Sequence, residues 1–194
     1  DLQSQARTTI GAGRRVLVMG GSRGAVALNT ELPELLAKLV NDFGLHLSVI
    51  HQCGGERAQE IQAIYARLAV GIEVRVENFI DDMAAAYQWA DLVICRAGAM
   101  TVAELAMAGK PAVLVPFPFA IDDHQTANAN YLVGKEAALL MPQAEIGQES
   151  SVKKIAELLA NPERMLAMGQ QAASLAQADA ARKVADHCME LARD

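Results

Sequence analysis

Apolar residues in this chain gather into short unbroken runs set between longer amphipathic stretches. The runs are RVLVM (15–19), DLVIC (91–95) and PAVLVP (111–116), with LHLSVIH (45–51) and AALLM (137–141) read as two further strands. Continuous apolar character over so few residues predicts strands buried on both faces, the habit of parallel sheets. IEVRVE (72–77) alternates instead, which predicts a more exposed strand. Between the runs lie a helix from about Ala25 to Asp42 and an Ala/Gln/Glu-rich helix ending near Leu68. From Ser150 onward the pattern is helical, and Asn161-Pro162 supplies an N-cap and a first-turn proline for a second segment.

Six strands alternating with helices imply an α/β fold, a Rossmann-like doubly wound parallel sheet with right-handed crossovers. Ligands of such sheets sit outside the carboxyl ends of the strands, where strand order reverses. The loops after Met19, His51, Glu77, Cys95 and Val115 are therefore expected on one rim. Residues 1–13 are polar and read as a linker running into the first strand, leaving 14–194 as one domain.

Composition narrows the partners. The 194 residues carry 23 acidic and 17 basic side chains, for a formal charge of −6 without a basic stripe, which argues against a nucleic-acid backbone. Cys53, Cys95 and Cys188 form no C-x-x-C pair, as expected of reduced thiols in a cytoplasmic compartment. The N-terminus lacks the apolar centre of a signal peptide. PAVLVPFPFAI is far short of the roughly 20 apolar residues of a membrane span, so no crossing of a bilayer is expected.

The chemistry concentrates on the rim. VLVMGGSRGA (16–25) is not the dinucleotide fingerprint, because its glycine spacing differs and the second strand ends IHQCGG with no carboxylate for a ribose. It is not a triphosphate loop either, having neither the spacing nor the lysine. Two readings remain for Gly21, Ser22 and Gly24: an anion site of helix-start N–H groups with the Ser22 hydroxyl, or a tight turn that binds nothing. In CRAGAMTVAELAMAGKP (95–111), Gly98 turns the chain and Ala99 and Met100 open a helix, so a second set of free amides faces the same crevice. Glu104, one turn later, can accept hydrogen bonds from both hydroxyls of a ribose, or it can close a capping box with Thr101. In FIDDM (79–83), Phe79 and Ile80 either hold a planar base or are core residues before an N-cap aspartate. His124, Gln125 and Asn128 cluster at a helix start where they can grip sugar hydroxyls. The adjacent Asp122, Asp123 and His124 do not make a metal site, and there is no Asp-x-Asp for a diphosphate-bound Mg²⁺. His46, His51 and His187 read as structural or surface residues.

Taken in order, GGSRGA, FIDDM, CRAGAMTVAELAMAGKPAVLVPFP and DHQTANA resemble the MurG family of UDP-N-acetylglucosamine–lipid I N-acetylglucosaminyltransferases, from about residue 14 to the C-terminus. The resemblance implies the C-terminal, donor-binding half of a two-domain GT-B glycosyltransferase. It implies Ser22 with Gly21 and Gly24 on the diphosphate, and Met100 and Thr101 beside it at the Gly98–Ala99 helix start. It places the Ile80 backbone on uracil beside Phe79, Glu104 on the ribose, and His124, Gln125 and Asn128 on the N-acetylglucosamine. It also implies an inverting transfer to lipid I without a required cofactor or metal. The general base, the lipid-facing patch and the contact with the cytoplasmic face of the inner membrane would belong to an N-terminal half. Alone, the chain is expected to bind donor without turnover. A UDP-sugar epimerase of similar architecture, and a stand-alone donor-binding module needing a separate acceptor subunit, are the alternative readings.

Overall fold

A computed structural model describes residues 13–21, 25–68, 71–177 and 188–189. Its strands are β1 (Arg14–Met19), β2 (Leu47–Gln52), β3 (Ile72–Glu77), β4 (Leu92–Cys95), β5 (Ala112–Leu114) and β6 (Ala138–Leu140). Every pairing is parallel, in the order β3-β2-β1-β4-β5-β6. The sheet is flanked by α1 (Val26–Phe43), α2 (Ala58–Leu68), α3 (Met83–Trp89), α4 (Ala99–Ala108), α5 (His124–Val133), α6 (Glu149–Leu159) and α7 (Pro162–Ser174). The elements lie within one to three residues of the boundaries read from the sequence.

Side-chain alternation along β1 shows why its apolar run is unbroken. Val16 and Val18 enter the core shared with α1, α2 and α6, while Leu17 and Met19 enter the core shared with α3, α4 and α5. Both faces exclude water, which favours apolar side chains at all four positions. β3 is an edge strand. Its Val74 and Val76 pack on the first core, and Glu73, Arg75 and Glu77 occupy the other face. There Ser48 Oγ donates to Glu73 Oε2 at 3.1 Å, and Arg75 pairs with Glu77 at 2.9 Å.

The Asn161 side chain accepts from the Arg164 N–H and starts α7, as the Asn-Pro pair predicts. α7 then crosses the end of α4 backbone to backbone. A Cβ on Gly169 would stand 2.7 Å from the Gly109 carbonyl oxygen. Helix propensity alone favours Gly169→Ala by about 1 kcal/mol. The steric obstacle is main chain and cannot swing aside, so the net change is an expected loss of about 1–2 kcal/mol, read as a lowered midpoint in thermal unfolding. A raised midpoint would refute this close crossing.

Candidate functional site

β1 and β4 are neighbours, yet their crossovers leave in opposite directions, β1 towards β2 and β4 towards β5. The sheet's switch point therefore lies between them, and α1 and α4 begin on its two sides. α1 makes its first helical bond from Asn29 N to Ala25 O at 2.9 Å, and α4 from Val102 N to Gly98 O at 3.0 Å. Their N-cap residues, Ala25 and Gly98, supply no side-chain hydrogen bond. The first-turn amides of both helices are thus left without an intrahelical partner or an N-cap side chain at the mouth of one crevice. Each start also carries the positive end of a helix dipole. Ser22 and Gly24 lie outside the described residues.

Gly21 has φ +76°, a conformation that favours glycine, and a Cβ there would meet nothing within 4 Å. The turn is held from β2. Gln52 accepts from the Gly21 N–H at 3.1 Å and donates to the carbonyls of Gly21 at 3.2 Å and Asn78 at 3.1 Å. Behind it, the fully buried His51 bridges Asn29 Oδ1 at 3.1 Å and Tyr65 Oη at 2.9 Å. Asn29 Nδ2 donates to Cys53 O at 2.9 Å, which directs its oxygen at the imidazole. That fixes the tautomer: Nε2–H donates to Asn29, and bare Nδ1 accepts the Tyr65 hydroxyl. Burial lowers the His51 pKa from 6.5 to about 4 and raises that of the Tyr65 phenol.

Glu104 is half-buried on α4. Because that helix starts at Gly98, Thr101 stands inside its first turn and is not an N-cap, so the capping-box reading fails. Instead Tyr87 Oη donates to Glu104 Oε2 at 2.9 Å from the neighbouring α3. Burial foremost, with the neighbouring Glu104 carboxylate adding to it, raises the Tyr87 pKa, so this phenol remains a donor. The Cys95 thiol is pushed up to about 12 by burial and by the Glu104 carboxylate, and stays protonated.

The loop after β3 presents Phe79, 56% exposed, which excludes it from the core. Ile80 packs against the second core, and Asp82 caps α3 through the Ala85 N–H at 2.9 Å. Val26, Met100, Phe117 and Phe119 are also exposed, so this strand-end rim carries an unusual share of apolar surface. Arg96 anchors the loop after β5. It donates to Val115 O, Pro116 O and Gln143 Oε1, at 3.2, 3.1 and 2.6 Å, and lies 5.4 Å from the Phe117 ring centroid.

Asp122 and Asp123 both adopt left-handed φ, 51° and 50°, at the entry to α5, a conformation that costs a non-glycine residue about 1–2 kcal/mol. Of the polar trio on α5, His124 is exposed, Gln125 Oε1 accepts from Phe117 N at 3.0 Å, and Asn128 Nδ2 donates to Ala97 O at 3.1 Å. Gln125 and Asn128 therefore tie their helix to the two adjacent loops. Among the described residues, no group of three His, Cys, Asp or Glu side chains is placed to hold a metal ion, and no helix is long and apolar enough to cross a membrane.

Residues 15–184 match the family model of the glycosyltransferase family 28 C-terminal domain. The chain is 50% identical over 180 residues to the UDP-N-acetylglucosamine--N-acetylmuramyl-(pentapeptide) pyrophosphoryl-undecaprenol N-acetylglucosamine transferase of Chromohalobacter salexigens, with 93% of this chain and 48% of the relative covered. It is 53% identical to the protein of the same name from Methylococcus capsulatus, over 92% of this chain and 49% of that one. The crystal structure of Acinetobacter baumannii MurG superposes with a TM-score of 0.85 at 40% identity, covering 94% of this chain and 51% of that one. A UDP-GlcNAc 2-epimerase from Neisseria meningitidis shares the fold at a TM-score of 0.57 and 9% identity, covering 97% of this chain and 46% of that one. The chain spans about half the length of the curated relatives it matches.

Proposed function

The chain belongs to the glycosyltransferase family 28 C-terminal domains, and on that premise we propose that it is the donor-binding half of an inverting N-acetylglucosaminyltransferase. Its donor is UDP-N-acetylglucosamine. Its acceptor is lipid I, bound by a second half outside this chain at the cytoplasmic face of the membrane. One observation carries the reading: two helix starts without side-chain caps flank the switch point, with a carboxylate one turn inside the second. The names and identities of its relatives support the choice of sugar and acceptor.

The diphosphate lies across the α1 and α4 starts, where N–H groups and helix dipoles favour negative charge. Gly21, with Ser22 and Gly24, approaches it from the turn after β1, and Ala99, Met100 and Thr101 from α4. Uracil reads the Ile80 backbone beside Phe79, and Glu104 takes the ribose hydroxyls. The sugar reaches His124, Gln125 and Asn128. Since Gln125 Oε1 and Asn128 Nδ2 already hold the loops, Gln125 Nε2 and Asn128 Oδ1 take the sugar contacts.

In the transfer, the acceptor C4 hydroxyl attacks the anomeric carbon as the bond to the diphosphate breaks. The hydroxyl proton passes to a base on the other half, and the configuration inverts. Charge grows on the leaving diphosphate, and donors fixed in advance stabilise it without reorganising. No cofactor is required in this scheme. Calorimetry of the chain with UDP, UDP-N-acetylglucosamine and NAD is expected to show binding of the first two; a preference for NAD would overturn the assignment.

A further inference from the structure

Gln52 is the last residue of β2, 7% exposed, and contributes no atom to the ligand contacts proposed above. Its side-chain amide nevertheless spans two of the ligand loops. The oxygen accepts from the Gly21 N–H, and the nitrogen donates to the Gly21 and Asn78 carbonyls, all at 3.1–3.2 Å. The Gln52 main-chain carbonyl accepts from the Gly20 N–H at 2.9 Å, so both glycines of the turn are tied to one residue. Asn78 immediately precedes Phe79 and Ile80. Its own carbonyl also accepts from Gly54 N at 3.0 Å, and its side-chain oxygen accepts from Ala58 N at 2.9 Å.

From this geometry we infer that Gln52 is a positioning residue that couples the diphosphate and base subsites. The inference rests on the donor-binding reading above. A single buried amide satisfies three main-chain groups, two on the turn that meets phosphate and one on the segment that meets the base. A shift of either segment strains the other through this amide. A ligand fragment that fixes one loop therefore fixes the other, and the second fragment binds to a loop already in place. An amide is the side chain suited to this, because it offers an acceptor and a donor pair in one plane. A carboxylate could serve the Gly21 N–H but would repel both carbonyls.

The test uses uridine and inorganic pyrophosphate as separate probes, with UDP as the joined ligand, titrated into the wild-type chain and Gln52→Met. Methionine fills the space without the hydrogen bonds. In the wild type, saturating pyrophosphate is expected to raise uridine affinity about fivefold, a coupling at the lower end of the usual range. In Gln52→Met that enhancement is expected to vanish, and UDP affinity to fall about fivefold, while each fragment alone changes less than about twofold. A lowered melting temperature with unchanged UDP affinity and intact enhancement would make Gln52 a structural staple and overturn the inference. A wild-type chain that binds no UDP would remove both this inference and the reading beneath it, so the two failures are distinct. Should Gln52→Met fail to fold, Gln52→Asn keeps the amide but shortens its reach, and it is expected to lose the same enhancement; retention there would equally refute the coupling.

Discussion

Replacing Glu104 by alanine is expected to weaken UDP binding at least tenfold. Tenfold corresponds to about 1.4 kcal/mol, and hydrogen bonds to a charged group contribute about 1.5–3 kcal/mol each. Loss of two such bonds to ribose hydroxyls therefore exceeds the threshold even if water replaces one of them. The carboxylate is pre-oriented by Tyr87 at 2.9 Å, so Tyr87→Phe should weaken UDP binding about threefold with the charge still in place. Substrate trimming gives a second reading of the same contact. Wild-type chain should prefer UDP over 2′-deoxy-UDP, and Glu104→Ala should lose most of that preference. Because alanine also strands the buried Tyr87 hydroxyl, Glu104→Gln, which keeps an acceptor for it, separates lost binding from lost stability. Unchanged UDP affinity in both Glu104 variants, measured by calorimetry, would remove the ribose contact.

Acid is expected to destabilise the chain through His51 by about 3 kcal/mol between pH 7 and pH 4. The imidazole titrates at 6.5 when unperturbed and at about 4 in the fold, because burial disfavours its charged form. The folded-state pKa is depressed, so its contribution is present above pH 6.5 and drains away as pH falls towards 4. Between those limits the unfolded chain binds the extra proton. Protonation would also put an N–H on Nδ1, facing the hydroxyl that now donates to it, and Tyr65 would have to turn that proton into apolar surroundings. In His51→Gln the acid limb should flatten by about the same amount, after an initial loss of about 1–3 kcal/mol for an imperfect bridge between Asn29 and Tyr65. Urea unfolding of both proteins at pH 7 and pH 4 checks this. Equal pH dependence in wild type and variant would show that His51 does not govern the acid limb.

The architecture was legible because it follows from short-range pattern: apolar runs bounded by glycine, proline and polar residues. The Gly98 turn, the Asn161 cap and the more exposed character of β3 all follow from neighbours in sequence, whereas the edge position of β3 is seen only in the sheet order. The hydrogen-bond partners did not. Thr101-Val-Ala-Glu104 matches a capping box as a string, yet the helix begins three residues earlier, and the glutamate turns to a tyrosine seventeen positions away. Its sequence neighbours leave His51 as either a structural or a surface residue, because its burial between Asn29 and Tyr65 depends on three separate elements meeting. Gln52 left one available signal: two polar residues ending an apolar strand must find partners if that strand is buried. Which partners they find is a property of the folded sheet.

The two margins of the sheet differ, and their difference bears on self-association. A margin strand exposes a ladder of unused amides and carbonyls on which a foreign strand can template itself. β6 offers three residues, Ala138–Leu140, too few for a durable graft. β3 is twice that length, but it sets Glu73, Arg75 and Glu77 along one face. An incoming strand would have to bury those charges against itself. Brevity on one side and charge on the other thus discourage growth into fibrils from a sheet whose interior strands carry aliphatic runs such as Val16–Val18 and Leu92–Ile94.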